Sequence, residues 1–205
     1  MKVEFRSLQG IVSSALLSFM ILMTFKFSMF LDSSFEGTGV LWSVILLTGL
    51  GLITHISTRE SERGTFELLK LSSITRYQLF LGRMAGSLFL LWILSTIITI
   101  LYVVLFENQF GNNLSLAYLV VLVGCVGIAA VGTLAASTAT PLHGGWMITS
   151  LFSIPILLFT VIEASLRATD SLVTNDSDFQ LAFMLLILYN LAFVTGGAWL
   201  SELSE

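Results

Sequence analysis

Charge is what this sequence has least of. Only 11% of its 205 residues are Asp, Glu, Lys or Arg, whereas an average soluble domain carries about 25%. Hydrophobic residues make up 56% of the chain, and its mean hydropathy is +0.94. A soluble fold of this length has too little interior to bury that much apolar surface. The composition therefore excludes a soluble domain and predicts a membrane protein with the lipid bilayer as its solvent.

Signatures of several other protein classes are missing as well. The chain has no H-E-x-x-H zinc motif, no serine in the setting of an intramembrane protease and no D-x-D-x-D-G calcium loop. We therefore expect no enzyme activity, no catalytic residue and no metal ligand. His55 and His143 lie at the ends of apolar runs, where we expect ordinary interfacial histidines. The single cysteine, Cys125, lies in an apolar run and is expected to be a small buried side chain.

Six apolar runs are long enough to cross a bilayer, which takes about 20 residues of helix. They cover residues 8–31, 38–56, 84–106, 114–139, 145–162 and 179–201. The sequence predicts one all-α domain over residues 1–205, a polytopic membrane protein with six transmembrane helices. No cleavage site of the A-x-A type follows the first run, so we expect no cleaved signal peptide.

Lysine and arginine lie almost entirely on one side of these predicted spans. Lys2, Arg6 and the five basic residues of 57–83 share one side, whereas Arg167 alone lies on the other. Because cytoplasmic loops carry the excess of basic residues, both termini are predicted to be cytoplasmic, an N-in/C-in topology. The ninth basic residue, Lys26, lies inside the first run, from which it can extend its ammonium group toward the outer membrane surface.

The predicted outer side holds one long loop, residues 163–178. Its four carboxylates lack the spacing of a calcium site, so we interpret it as a solvated acidic loop. Trp42 lies near the outer end of the second span, where an indole is expected to sit in the interfacial aromatic belt.

Residues 57–83 are the exception to the scarcity of charge. They hold eight of the 9 basic and 13 acidic residues of the chain, and both signs are present. Thr75 is followed three residues later by a glutamine, the spacing of a capping box, which predicts a helix that begins near Arg76 and continues into the third span. Ser57 is followed at the same distance by Glu60, so a second helix start is predicted there.

The middle of this segment has the features of a short helix on the membrane surface. Gly64 interrupts the chain, and Thr65 can then cap a helix over residues 66–71. Because two to five residues suffice to join a pair of helices, a segment of this length needs a further explanation. One is a helix resting on lipid headgroups. The other, favoured by the mixed charge, is a docking element for a cytoplasmic protein, formed by Glu60, Arg63, Phe66, Glu67, Leu68 and Lys70.

Helix-breaking and small residues inside the spans each allow two interpretations. Pro155 removes one backbone hydrogen bond from the fifth span, where it forms either a static kink or a hinge used in transport. Small residues recur at helical spacing in three spans and let helices approach closely, either within this bundle or against a second membrane subunit. They are Cys125, Ala129, Gly132, Thr133, Ala136 and Ser137 in span four, Gly82 and Gly86 in span three, and Ala192 and Gly196 in span six.

Four segments, taken in order and spacing, resemble a known family. They are "VEFRSLQG" at 3–10, "GVLW" at 39–42, "RESERGTFELLKLS" at 59–72 and "VGTLAASTATPLHGGWMITSLFSIPILLFTVIEA" at 131–164. Together they are similar to the heme exporter B family, CcmB, of cytochrome c maturation, within the ABC-2 class of ABC exporters. The resemblance extends over essentially the whole chain.

The resemblance implies a permease subunit of an ABC transporter, with a short cytoplasmic coupling helix between helices 2 and 3. ATP is implied on a separate ATPase subunit, and indeed the chain has no G-x-x-x-x-G-K-[ST] phosphate loop. No cofactor is expected on this chain itself. Heme is implied as the group that the complex transports or handles.

Further partners follow from the same resemblance. They are a second six-span membrane subunit or a copy of this chain, heme-handling maturation subunits, and the bilayer of the cytoplasmic (inner) membrane; nucleic acid is not expected. The task is either heme delivery to a periplasmic chaperone or release of the heme-loaded chaperone. The alternative is a general ABC-2 permease that exports a drug, lipid or glycan, and a third interpretation is a purely structural membrane anchor.

Overall fold

The described residues form a bundle of six α-helices. The computed structural model describes the backbone over residues 4–31, 37–62, 76–106, 110, 113–139, 146–174 and 178–203, and side chains over 10–28, 37–57, 77–106, 110, 113–135, 160–174 and 178–199. The helices are α1 (Glu4–Leu31), α2 (Gly37–Glu62), α3 (Arg76–Leu105), α4 (Leu114–Ala139), α5 (Trp146–Thr174) and α6 (Phe179–Leu203). The all-α prediction is confirmed for this described part of the chain.

Contacts among the first three helices show that they alternate in direction. His55, near the end of α2, lies against Gly10, near the start of α1. At the opposite end, Lys26 of α1 lies over the ring of Phe106, which follows α3. We call the first end the loop end, because α2 ends and α3 begins there, and the second the far end.

The last three helices continue the same alternation. At the loop end, Gly197 of α6 packs against Phe80 of α3 and Leu134 of α4. At the far end, the amide of Asn113 donates a hydrogen bond to the carbonyl oxygen of Leu172 in α5, over 3.1 Å. The start of α1 and the end of α6 therefore share the loop end with the end of α2 and the start of α3.

Helix α4 is the centre of the bundle. Among the described residues it contacts α2, α3, α5 and α6, whereas α1 contacts only α2 and α3. The members of its small-residue face that have described side chains are all buried: Cys125, Ala129, Gly132 and Thr133. The interpretation of this face as packing within the chain's own bundle is confirmed for these four, and the side chains of Ala136 and Ser137 lie outside the described residues.

The other two small-residue pairs do not pack in this way. In the described part of the chain, no atom beyond the neighbouring residues and backbone of its own helix lies within 4 Å of where a Cβ would stand on Gly82, Gly86 or Gly196. Ala192 is exposed on the same side of α6. Packing of these pairs inside the bundle, the first interpretation above, is therefore not found among the described residues.

Five of the helices are long and apolar enough to cross a membrane. The apolar stretches are Gly10–Ser28, Gly37–Ser57, Tyr77–Leu105, Leu114–Ala135 and Phe179–Trp199. They correspond to five of the six predicted spans. The remaining helix, α5, is 29 residues long, but its described side chains begin only at residue 160. The sixth span and the N-in/C-in orientation therefore stay predictions.

The predicted loop at 163–178 is wrong over most of its length, because α5 continues to Thr174. One face of this extension packs inward, with Ala164 and Ala168 buried. On the other face, Arg167 donates to the carboxylate of Glu163 over 2.7 Å, one helical turn away. An exposed pair of this kind adds only about 0.3–0.5 kcal/mol, so burial of the inner face is the main reason that the helix continues.

The ends of α2 and α3 test the two predicted capping boxes. Helix α3 begins at Arg76, so the start predicted from Thr75 is confirmed. The start predicted at Ser57 is wrong, because α2 runs through Ser57 and Glu60 without interruption. Arg and Glu are good helix formers, and the charged sequence simply continues the helix past its apolar part.

The topology predicts a defined labelling pattern for single cysteines. Asp170 and Asp178 are exposed at the far end, so Asp170→Cys and Asp178→Cys should react in intact cells with a thiol reagent that cannot cross the membrane. Glu62→Cys, at the loop end, should react only after the membrane is permeabilised. The native Cys125 is fully buried, so the wild-type chain serves as the unlabelled control. Labelling of the Glu62 variant alone in intact cells would reverse the orientation.

Two glycines should respond oppositely to the same substitution. A Cβ on Gly127 would overlap the amide oxygen of Asn190 and lie 2.8 Å from Val161, whereas Gly86 has open space. We expect Gly127→Ala to destabilise the folded protein by about 1–3 kcal/mol, as overpacked interiors do. Gly86→Ala should leave it unchanged or stabilise it by up to ~1 kcal/mol.

Thermal unfolding of the purified protein in mild detergent measures both effects. Equal melting temperatures for the two variants would contradict the packing of α4 described above. A Gly86→Ala protein that melts normally but no longer assembles with another membrane subunit would identify the open glycine face as an interface.

Candidate functional site

The charged segment between α2 and α3 is the site that the sequence singled out. Helix α2 ends at Glu62 and α3 begins at Arg76, so the connection is residues 63–75, shorter than the 57–83 loop expected. Glu60 lies in the last turn of α2, and its side chain is not among those described. The other proposed docking residues, Arg63, Phe66, Glu67, Leu68 and Lys70, lie outside the described residues. The short surface helix and its docking role stay predictions.

The two helices that hold this segment form one packed unit with α1. Gly49 of α2 lies against the side chain of Leu91 in α3. A Cβ placed on Gly49 would lie 3.5 Å from a Cδ of Leu91. His55 is exposed near the loop end and lies against Gly10 of α1. Helices α2 and α3, which residues 63–75 connect, therefore pack together with α1, and both helices also contact α4.

Trp42 is a buried connector between helices, which corrects the expectation of an interfacial indole. Its side chain is fully buried, and its indole Nε1 donates to Thr169 Oγ1 of α5 over 3.0 Å. The Thr169 hydroxyl in turn donates to the Ser165 carbonyl oxygen over 2.7 Å. Gly124 of α4 lies against the ring and leaves no room for a Cβ. Three helices therefore meet at one tryptophan.

Asn190 makes a second polar contact with α4. Its Nδ2 donates to the Val123 carbonyl oxygen over 2.7 Å, which fixes the orientation of the amide because a carbonyl accepts only from the NH₂ group. Its Oδ1 is buried without a hydrogen-bond partner and points at Gly127. The amide thus lies across one turn of α4, between residues four apart. The sequence reasoning did not identify Asn190, although a lone amide in an apolar run was a visible signal.

A further unpaired polar atom lies close by. Ser165 Oγ is fully buried without a hydrogen-bond partner, 2.9 Å from the place of a Cβ on Gly124. Both unpaired oxygens therefore face a glycine of α4, where the Cα–H groups are accessible. Weak Cα–H···O contacts of this type recur where helices approach closely and are worth about 0.5–1 kcal/mol each.

Lys26 has an aromatic neighbourhood at the far end. Its Nζ lies 5.3 Å from the centroid of the Phe106 ring. Phe106 is stacked on Tyr102 with 4.8 Å between ring centroids, and Phe110 lies 5.9 Å from Tyr102. Cation–π contacts contribute about 0.5–2 kcal/mol, so the Lys26 ammonium group has a structural partner inside the bundle.

The remaining candidate groups offer little chemistry. In the part of the chain that the structure describes, no cluster of three or more His, Cys, Asp or Glu residues could hold a metal ion. Helix α5 is continuous through Pro155, whose side chain is not among those described. The choice between a kink and a hinge at this proline therefore stays open.

Comparison with known proteins gives two curated relatives and one family. The relatives, from Escherichia coli strain K12 and from Escherichia coli O157:H7, are each described as "Probable multidrug ABC transporter permease YbhR" and are 24% identical to this chain over 119 residues. The aligned region is 58% of this chain but only 32% of each relative, so the chain spans about a third of their length. No solved structure matches the chain.

The family match covers far more of the molecule. The family model described as "CcmB protein" matches residues 1–199, which include all six helices apart from the end of α6. This extent confirms the resemblance seen in the four sequence segments. The chain belongs to the CcmB protein family.

Proposed function

We propose that this chain is the permease subunit of an ABC transporter that acts in cytochrome c maturation, in the cytoplasmic (inner) membrane. The observation that carries the proposal is the CcmB family match over residues 1–199. The similarity to two probable multidrug ABC permeases supports the transporter class. Five helices are long and apolar enough to cross a membrane, which fits a subunit that works in the lipid bilayer.

A separate ATPase would drive the complex by binding residues 63–75. This segment joins the ends of α2 and α3, which pack against each other and against α1 and α4. Closure of an ATPase on the segment would therefore move a packed group of helices rather than a loose hairpin. We assign the docking contacts to Glu60, Arg63, Phe66, Glu67, Leu68 and Lys70, with Phe66 as the apolar anchor and the charged residues setting orientation.

This chain would carry no catalytic group and no cofactor of its own. ATP would be bound and hydrolysed by the partner subunit, and heme would be the group that the complex handles. A second six-span subunit, either a copy of this chain or another maturation subunit, would complete the membrane part. The complex would either deliver heme to a periplasmic chaperone or release the chaperone once it is loaded.

The second candidate function is export of another substrate by the same mechanism. The description of the two relatives as probable multidrug permeases favours it. Docking of an ATPase is common to both candidates, so only a substrate-dependent measurement separates them.

Replacing the proposed anchor should weaken ATPase binding without affecting membrane insertion. We expect Phe66→Ala to lower the affinity for the ATPase by about 1–3 kcal/mol, the scale of an aromatic side chain that loses its pocket. Glu67→Lys should weaken docking where its partner residue is basic. The measurement is co-purification of the ATPase in mild detergent, together with ATP hydrolysis by the complex.

Phe89→Ala is the matched control, since Phe89 of α3 is 62% exposed on the outside of the bundle. It should co-purify the ATPase at the wild-type level. If Phe66→Ala and Glu67→Lys do so as well, with hydrolysis unchanged, residues 63–75 do not dock the ATPase, and a helix resting on lipid headgroups becomes the explanation of the segment.

Deleting the gene should remove covalently bound heme from c-type cytochromes. Heme staining of membrane proteins after denaturing electrophoresis measures this loss directly, and expression of the wild-type chain should restore it. Drug susceptibility measured in the same strains provides the comparison. Normal c-type cytochromes combined with increased drug sensitivity would favour the multidrug alternative over the maturation role.

A further inference from the structure

Helix α2 reaches from the charged segment at one end of the bundle to a buried tryptophan near the other. Trp42 lies in the second turn of α2, and Glu62 ends the helix at the loop end. Trp42 and its partner Thr169 are both fully buried. Their contact therefore connects α2, the helix that the proposed ATPase would move, with the part of α5 nearest the far end.

The hydrogen-bond chain at this contact is complete and has one direction. The Trp42 indole N–H donates to Thr169 Oγ1 over 3.0 Å, and the Thr169 O–H donates to the Ser165 carbonyl oxygen over 2.7 Å. Separation of the two side chains would leave the indole N–H buried without a partner. That loss is costly in an apolar interior, so α2 and α5 are expected to stay together when either one moves.

The surroundings hold the ring in place. Gly124 of α4 lies so close to the ring that a Cβ would overlap it. The indole is thus confined between α4 and α5, and its N–H is kept pointing at Thr169. A tilt of α2 must either carry α5 with it or break the hydrogen bond.

The part of α5 that follows is suited to receive such a movement. From Val161 to Leu172 its inner face is buried, while Glu163, Arg167 and Asp170 face outward. The Leu172 carbonyl accepts from Asn113 in the connection between α3 and α4. Displacement of α5 at Thr169 would therefore move a charged surface at the far end.

We propose that the Trp42–Thr169 hydrogen bond is the positioning contact that transmits movement of α2 to the far-end surface of α5. The proposal rests on the proposed function, because it needs an ATPase that moves residues 63–75. Trp42 and Thr169 act through the helices that they join and do not touch the substrate.

Two cysteine reporters test the transmission. Glu62→Cys reports at the loop end, and Asp170→Cys reports on the exposed face of α5. Each is labelled with a fluorescent maleimide in the complex with its co-purified ATPase, without nucleotide and after trapping with ATP and vanadate. In the otherwise wild-type chain both signals should change on trapping.

The variants remove the hydrogen bond with little change in shape. Trp42→Phe keeps an aromatic ring against Gly124 and removes the N–H, and Thr169→Val removes the hydroxyl. In each variant the Glu62 reporter should still respond, while the Asp170 response should fall about fivefold, on the scale of one neutral hydrogen bond. The double variant should be no worse than either single variant, because both remove the same contact.

Two controls separate transmission from general damage. Thr169→Ser keeps the hydroxyl, so its Asp170 response should stay at the wild-type level, in contrast to that of Thr169→Val. Trp92→Phe removes another indole donor, which bonds to the Leu122 carbonyl oxygen over 3.0 Å, and should leave both responses intact. Its failure to do so would mean that loss of any interhelical indole bond disturbs the bundle, which overturns a special role for Trp42.

The remaining outcomes are also decisive. A full Asp170 response in both Trp42→Phe and Thr169→Val would overturn the proposal and leave the ATPase-driven function standing. A Glu62 reporter that does not respond to nucleotide in the wild-type complex would contradict the proposed function itself, and the transmission proposal would fall with it.

Discussion

The bundle depends on how closely its helices approach α4. Lipid tails are as apolar as the surface of another helix. The hydrophobic effect therefore does not draw helices together inside a membrane. Close packing and polar contacts must provide the association instead. Gly124 and Gly127 allow both, because they admit the ring of Trp42 and the amide of Asn190 up to the backbone of α4. At these two glycines, side chains of α2, α5 and α6 therefore reach the backbone of α4.

The polar contacts on α4 differ in how completely they satisfy their groups. Trp42 and Thr169 form a closed chain of donors and acceptors, whereas Asn190 and Ser165 each keep one buried oxygen without a hydrogen-bond partner. A fully satisfied contact resists separation most strongly in an apolar interior. The contact between α2 and α5 is thus the more completely satisfied one.

The sequence predicted the helices well and their mutual contacts poorly. Hydropathy and capping identified all six helices and the start of α3 at Arg76, because these signals are local. The role of Trp42 was missed, since its partner Thr169 lies 127 residues away and no local pattern joins them. The α5 extension carries several charged residues and so resembles a loop in its composition, although its apolar residues follow one side of a helix.

The proposed docking site rests on the residue types of the segment and on the family resemblance alone. Residues 63–75 carry charges of both signs. A hydropathy profile assigns any such segment to a connection between spans, whatever its secondary structure. The structure adds where the segment is attached, namely to two helices that pack together and against α4. That attachment could not be read from the sequence, because it depends on contacts such as Gly49 with Leu91, which lie on different helices.

The length of α2 bears on whether this segment lies on lipid or in water. The last five residues of α2, 58–62, are polar or charged and follow its apolar part. At 1.5 Å per residue, these last residues extend the helix by about 7.5 Å. The headgroup region on one side of a bilayer is about 5–7 Å thick. Helix α2 is therefore long enough to carry Glu62 through the headgroup region to the aqueous edge of the membrane, which favours the proposed protein partner over lipid headgroups.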